Sequence, residues 1–279
     1  MPDIAFVNGR FLPWQDATVS IDDRGFQFGD AVYEVIRTYR GSPFELGAHL
    51  DRLDRSATQL SIPQPYTRKQ WTQWIHHGLS LAGYPDAKIY IQVTRGVAPR
   101  EHNFPVESRP TVVMTIRAIH ALSPETRGTG VTACTRDDLR WGRCDIKSVN
   151  LLANVLAREE ARKAGVFETI LVRDGCVMEG AVSNVMAVQG GVVVTAPESP
   201  RILSGVTRTV VLKLAREEEL VVDERFMSVD SLYQADEVFL TGTTIEILGV
   251  VQIDGKLIGS GRPGPVTQAL AARWALLTG

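Results

Sequence analysis

The sequence predicts an α+β protein folded in two domains. Hairpin signals and helical patterns are interspersed without strict βαβ alternation, a Pro- and Gly-containing stretch at 118–130 divides the chain, and 279 residues are enough for two cores. Taken in order, Ile4–Val7 and residues 11–13 flank Asn8-Gly9, the dipeptide favoured by type I′ hairpins because both central residues take positive φ. Residues 46–60 read as a helix with Leu50, Leu53, Ala57 and Leu60 on one face. Thr67-Arg68-Lys69-Gln70 is a capping box opening a second helix through Trp71, Trp74, Ile75 and Leu79. Residues 89–94 and 111–119 are β-branched strands joined by a long loop at 95–110, a length that in compact domains usually carries function. Beyond the linker, a helix follows Lys147 and stops at Gly165, and a strand spans 169–172. Asp174-Gly175 turns into a strand from Cys176, and Gly190-Gly191 makes another hairpin. Ser204-Gly205 opens a helix over 206–219, and a strand at 237–240 runs into Thr241-Gly242-Thr243-Thr244. A terminal helix carries Leu270, Trp274 and Leu277. The expected division is a small domain at 1–118, a linker at 119–126 and a larger domain at 127–279.

Composition narrows the function classes. A net charge of −2 gives no electrostatic footprint for nucleic acid or an anionic membrane. Cys134, Cys144 and Cys176 are sparse, odd in number and without CxxC spacing, which suits a reducing compartment and argues against disulfides and a zinc site. The N-terminus has no basic segment followed by an apolar run, and no stretch approaches the ~20 apolar residues of a membrane span, so a cytoplasmic protein is expected.

Several apparent motifs lead nowhere. Gly259-Ser260-Gly261-Arg262-Pro263-Gly264 matches GxGxxG, but the chain ends 15 residues later (279 − 264), too soon for the rest of a dinucleotide-binding unit. There is no P-loop, HExxH or GxSxG, and the adjacent His76 and His77 point to different helix faces.

Lys147 stands out. Val149, Leu152, Val155 and Leu156 recur at helical spacing after it, which places it at or before a first turn, where the positive end of the helix dipole disfavours an ammonium group. A lysine so placed, beside Arg143, is easier to deprotonate, and a neutral amine is what a Schiff base with an aldehyde requires. Thirty-two residues on (179 − 147), Glu179-Gly180 ends the strand from Cys176, and a carboxylate there would pair with a protonated ring nitrogen. Leu203-Ser204-Gly205-Val206-Thr207 places a glycine turn at a helix N-terminus able to hold a phosphate, and Thr243-Thr244 offers further donors. Together these point to pyridoxal 5′-phosphate.

Longer runs carry a resemblance. Asp23-Arg24-Gly25-Phe26-Gln27-Phe28-Gly29-Asp30 with Val32-Tyr33-Glu34-Val35 is one, and Gln92-Val93-Thr94-Arg95-Gly96 with Pro99-Arg100-Glu101-His102 is another. Arg143 to Ser148 with Asn150-Leu151-Leu152, Glu179-Gly180 with Ser183-Asn184-Val185, Gly205 to Arg208, and Thr243-Thr244 with Glu246 complete the set. On these residues the chain resembles the fold-type IV pyridoxal-phosphate enzymes over nearly its whole length, and within them the branch that transaminates D-amino acids. The resemblance implies a small N-terminal α/β domain and a larger domain built on a pseudo-barrel sheet. It implies that Lys147 forms the Schiff base and carries the proton, that Glu179 pairs with the pyridine nitrogen, and that Arg52, the Val206 and Thr207 amides and Thr243 hold the phosphate. Taken alone, Arg52 lies off the Leu50–Leu53–Ala57 stripe and would read as a solvated helix face.

Arg100 and His102, with Tyr33, would trap the substrate carboxylate, since a guanidinium binds a carboxylate bidentately and an imidazole adds a donor. The loop that holds the pair would reach across a homodimer. The implied reaction is ping-pong transamination between a D-amino acid and a 2-oxo acid, D-alanine and 2-oxoglutarate giving pyruvate and D-glutamate. Ala181, Val182 and Gly242 depart from the resemblance, standing where serines are expected. Same-fold alternatives are a branched-chain L-amino acid or R-amine aminotransferase and an aminodeoxychorismate lyase. From another class, a dinucleotide-binding or scaffold protein would use the 259–264 segment.

Overall fold

Asn8 and Gly9 take φ of 47° and 89°, so β1 (Ile4–Val7) turns straight back as β2 (Arg10–Leu12). A computed structural model describes every residue except Met1, Pro2 and Ser108, and the chain divides into two units by its contacts. The first holds Met1–His120 and Ile146–Asn150. After the hairpin come α1 (Arg24–Phe28), β3 (Ala31–Tyr39), β4 (Ser42–Pro43), α2 (Leu46–Gln59), α3 (Arg68–Ala82), β5 (Ala87–Thr94) and β6 (Val112–Ala118). The strands form one antiparallel sheet in the order β2-β1-β6-β5-β3-β4. Val32 and Ile36 of β3, Ile89 and Ile91 of β5, and Met114 and Ile116 of β6 share a core with Leu50 and Leu53 of α2 and Trp71 and Ile75 of α3. The expected capping box of α3 is formed, with Gln70 N donating to Thr67 Oγ1 and Thr67 N to Gln70 Oε1.

The second unit holds Ala121–Asp145 and Leu151–Gly279. Its elements are α4 (Pro124–Thr129), β7 (Val131–Asp137), α5 (Leu152–Lys163), β8 (Glu168–Arg173), β9 (Cys176–Gly180), β10 (Asn184–Gln189), β11 (Val192–Thr195) and α6 (Val206–Glu217). These are followed by β12 (Val222–Glu224), α7 (Val229–Tyr233), β13 (Glu237–Gly242), β14 (Glu246–Ile253), β15 (Lys256–Leu257) and α8 (Pro265–Thr278). Its nine-stranded sheet runs β12-β11-β10-β13-β14-β7-β8-β9, with β15 on β14, and it is mixed: β7 lies parallel to both β14 and β8.

The structure departs from the sequence expectations at two points, the 118–130 stretch and the start of the helix after Lys147. The stretch at 118–130 is not plain linker, because Ser123 Oγ accepts from Thr126 N and Pro124 occupies the first helical turn, so α4 forms. Lys147 is not in a first helical turn: α5 begins at Leu152. The apolar stripe of α5 faces outward, with Leu152, Val155 and Leu156 exposed, while Ala157 and Ala161 are buried. Leu277 of α8 is also exposed, and Leu270 and Trp274 are buried.

The 259–264 segment has a structural explanation. The Glu237 carboxylate accepts from Val266 N (2.9 Å) and Thr267 N (2.8 Å) and fills the N-terminus of α8. A Cβ on Gly264 would collide with Glu237 Cδ, so the glycine serves this approach. A helix end already holding a carboxylate has no room for a phosphate, which removes the dinucleotide reading. No helix among the described residues is long and apolar enough to cross a membrane.

Candidate active site

Lys147 lies in a short extended stretch paired to β3. Tyr33 N donates to Lys147 O (2.9 Å), Val149 N donates to Ala31 O (3.1 Å), and Ser148 bridges Val32. Backbone pairing therefore fixes the lysine, in place of the helix dipole that the sequence suggested. Its ammonium sits 4.3 Å from the centroid of the Tyr33 ring, a cation–π contact that needs no other charge. Arg143 pairs with Asp145 in the second unit.

Alternation along β3 explains the next layer. Val32 and Ile36 point into the core, so Glu34 between them does too, and it is fully buried. A buried carboxylate survives only if paired. Arg52 donates to it through Nε (2.7 Å) and Nη2 (2.9 Å), and His49 Nδ1 lies 2.7 Å from Oε2. Burial pushes the Glu34 carboxyl up, but the Arg52 charge and the Arg52 and His49 hydrogen bonds outweigh it and hold the group well below the usual carboxylate range. Burial also pushes His49 down, aided by the Arg52 and Lys147 charges and opposed by Glu34. Arg52 is thus buried, not a solvated helix face. His49, Arg52 and Ser56 recur at i, i+3, i+7 and form a polar edge of α2 beside its apolar stripe. Ser56 Oγ closes this edge on the lysine by accepting from Lys147 N (3.2 Å).

Glu34→Gln should destabilise the protein by roughly 3–5 kcal/mol, because it removes the buried negative charge that the Arg52 guanidinium faces. The folded-state pKa of Glu34 is depressed, so its contribution is complete above the ordinary value of 4.5 and disappears only as pH falls through the lower folded value. The difference in Tm between wild type and Glu34→Gln should be flat from neutrality down to that ordinary value and narrow only in stronger acid. A gap that closes near neutrality would assign the stability to another group.

Arg100 and His102 form a separate group on Phe28. The Arg100 guanidinium is 5.0 Å from the Phe28 centroid, and the His102 ring is 5.5 Å from it. Both residues are exposed.

In the second unit Glu179 is the penultimate residue of β9, buried, and its two oxygens accept from Leu203 N (3.1 Å to each) and from Asn184 Nδ2 (2.9 Å). Arg140 Nη1 forms a direct ion pair with it, while Arg140 Nε and Nη2 donate to buried Asp138 (both 2.9 Å). Burial pushes the Glu179 carboxyl up against the pull of Arg140 and the Leu203 amide. Both oxygens accept from N–H donors, so the site is built for the anion, and a cationic N–H at this carboxylate would offset the burial. Asn184 is the hub of this end of the sheet. Besides Glu179 it donates to Leu203 O (3.0 Å), it pairs with Thr241 across β10 and β13, and a Cβ on Gly205 would collide with its Oδ1.

That glycine approach sets the start of α6, whose N-cap Gly205 has no side chain to cap the first-turn amides of Val206 and Thr207. Thr243 stands in the loop between the paired residues Gly242 and Glu246, where Glu246 takes φ 60° and is held by Arg127 (2.6 Å). Gly242 lies beside this loop; Ala181 is buried, and Val182 is exposed next to them.

The structure thus groups Lys147 with Tyr33 and Arg52, Arg100 with His102, and Glu179 with the start of α6. Sequence reasoning missed Glu34, which Arg52 and His49 share, and Arg140 and the Asn184 amide as partners of Glu179, with Asp138 holding Arg140. The only signal was spacing: a polar i, i+3, i+7 edge on α2, and an Asp-x-Arg pair just after β7. The donor set fits pyridoxal phosphate, because an anionic carboxylate suits a pyridinium and an uncapped helix N-terminus suits a phosphate.

Comparison with known proteins agrees. Residues 31–253 match the model of the amino-transferase class IV family. A D-alanine aminotransferase of Bacillus licheniformis is 44% identical over 94% of this chain and 92% of its own length. The branched-chain amino acid aminotransferase of Escherichia coli superposes with a TM-score of 0.94 at 30% identity, covering 99% of this chain and 94% of that one. The T.th. branched-chain enzyme, solved with pyridoxamine 5′-phosphate, gives a TM-score of 0.93 at 29% identity, covering 99% and 93%. With the family matched across most of the sequence and a donor set that suits its cofactor, the chain belongs to the class IV aminotransferases, fold-type IV enzymes that work with pyridoxal 5′-phosphate.

Proposed function

We propose that this aminotransferase moves the amino group of a D-amino acid to a 2-oxo acid, with D-alanine and 2-oxoglutarate giving pyruvate and D-glutamate. The observation that carries the reading is the Arg100–His102 pair gathered on Phe28. Likeness to a D-alanine aminotransferase at 44% identity supports it, whereas the branched-chain enzymes, at 30% or below, match the fold. Bound to Lys147, the cofactor supplies an electron sink for the pair left when the substrate Cα–H bond breaks. Lys147 Nζ would take the proton from the substrate Cα and give it back in the course of the transfer. Glu179 binds the ring N–H and keeps it protonated, and Arg140 and Asn184 orient that carboxylate. The Val206 and Thr207 amides, Thr243 and Arg52 bind the phosphate. Tyr33, Arg100 and His102 bind the α-carboxylate and so fix which face of Cα meets Lys147.

A homodimer completes the reading. In the first unit a groove of about 670 Å³ is lined by Val7, Trp14, Val19, Phe26, Val113 and Val149. The outward Leu152, Val155 and Leu156 stripe of α5 is a second apolar surface for a partner. Three free cysteines fit a cytoplasmic enzyme.

The test is a half-reaction with D-alanine and with L-alanine, following the visible band of the cofactor. D-alanine should bleach it far faster. Arg100→Ala should cost D-alanine turnover roughly 2–5 kcal/mol, the loss of a charged contact in a partly desolvated site. A faster reaction with L-alanine would favour the branched-chain reading, and equal rates would overturn the D-preference.

A further inference from the structure

The loop bearing Arg100 and His102 is exposed, yet its backbone is held from inside by a buried arginine. Arg24, 3% exposed, opens α1, and its Nε donates to Asp30 Oδ2 at 2.9 Å. Its Nη1 crosses to the loop and donates to the carbonyls of Glu101 (2.6 Å) and Asn103 (3.3 Å), the residues on either side of His102. Asp30 is fixed in turn by Arg95, also buried, whose Nε and Nη2 donate to it at 2.8 and 3.0 Å. The same Arg95 donates to the carbonyls of Leu60 (2.7 Å) and Ser61 (2.8 Å), and its guanidinium stacks 3.6 Å from the Phe104 centroid. The guanidinium of Arg24 lies 4.8 Å from the Phe28 centroid, the ring against which Arg100 and His102 rest.

We infer that Arg24, anchored by Asp30, is a positioning residue for substrate recognition: it sets the backbone on both sides of His102, while Phe28 aims the Arg100 and His102 side chains. The inference rests on Arg100 and His102 reading the carboxylate. A planar guanidinium can serve a carboxylate and two carbonyls at once because its donors fan out in one plane; a lysine ammonium on a shorter reach cannot. One side chain thus couples a buried ion pair to an exposed loop. Burial of Asp30 raises its carboxyl, but its hydrogen bonds and charge contacts with Arg95 and Arg24 bring it below the ordinary value, so the anchor is ionised at neutral pH.

The test uses the holoenzyme in three variants. Arg24→Lys keeps the charge beside Asp30 and should raise the Kd for D-alanine in the half-reaction about ten- to a hundredfold, the range for a small misplacement, with the limiting rate changing less. Hydrogen exchange in the peptide covering 99–104 should accelerate alongside. Phe28→Leu should raise the same Kd and leave that exchange near wild type, because the ring aims side chains and holds no backbone. Wild-type Kd and exchange in Arg24→Lys, or a wild-type Kd in Phe28→Leu, would overturn the inference. Arg100→Ala is the control: if it leaves the D-alanine Kd unchanged, the carboxylate reading itself has failed, and loop exchange in Arg24→Lys still decides whether Arg24 holds the backbone.

Discussion

Lys147→Ala is expected to leave the protein folded and to abolish transamination. Only the backbone of Lys147 takes part in the pairing with β3 and with Ser56, so truncating the side chain removes none of those bonds. What goes is the amine at the Tyr33 ring. General acid–base catalysis alone contributes about 10²–10⁴-fold, and the covalent hold on the cofactor is lost with it, so the fall should exceed that range. Circular dichroism should match wild type. Borohydride reduction of the wild-type holoenzyme followed by peptide mapping should place the pyridoxyl group on Lys147, and a label on Lys88 or Lys163 would move the role elsewhere.

Glu179→Gln is expected to cost turnover about 10²–10³-fold, the scale for removing one preorganised electrostatic partner of a developing charge. A glutamine can still accept from Leu203 N, but Asn184 and Arg140 donate to different oxygens of Glu179, so the amide NH2 confronts one of these two donors with a donor of its own. Arg140 keeps Asp138, so the fold should persist. The check is turnover at saturating cofactor: a rate near wild type would show that another group keeps the ring nitrogen protonated.

Much of this arrangement is legible in the sequence, but unevenly. Turn and cap chemistry is local, so Asn8-Gly9, the Thr67–Gln70 box and Asp174-Gly175 each specify their geometry without tertiary help. Lys147 is conspicuous for a reason the structure does not use: apolar residues at helical spacing suggest a helix that starts too early, because Val149 serves the pairing with β3 and the outward face of α5 mimics a core stripe. The partners of Arg52 and Glu179 lie 18 and 39 residues away in the chain, and nothing local distinguishes them from surface charges. Buried ion pairs are written in tertiary contacts, and a linear pattern does not display them.

The segment Ile146–Asn150 belongs to the first unit although both its flanks belong to the second. The polypeptide therefore changes unit at three peptide bonds, 120–121, 145–146 and 150–151. Neither unit is a module in the genetic sense. A gene fragment ending at residue 120 would encode the polar edge of α2 and the Tyr33 amide but not the lysine that both serve. Shuffling at that boundary would separate Lys147 from the strand that seats it. A split of the coding sequence there leaves the Tyr33 amide and Ser56 without the five-residue segment that they hold.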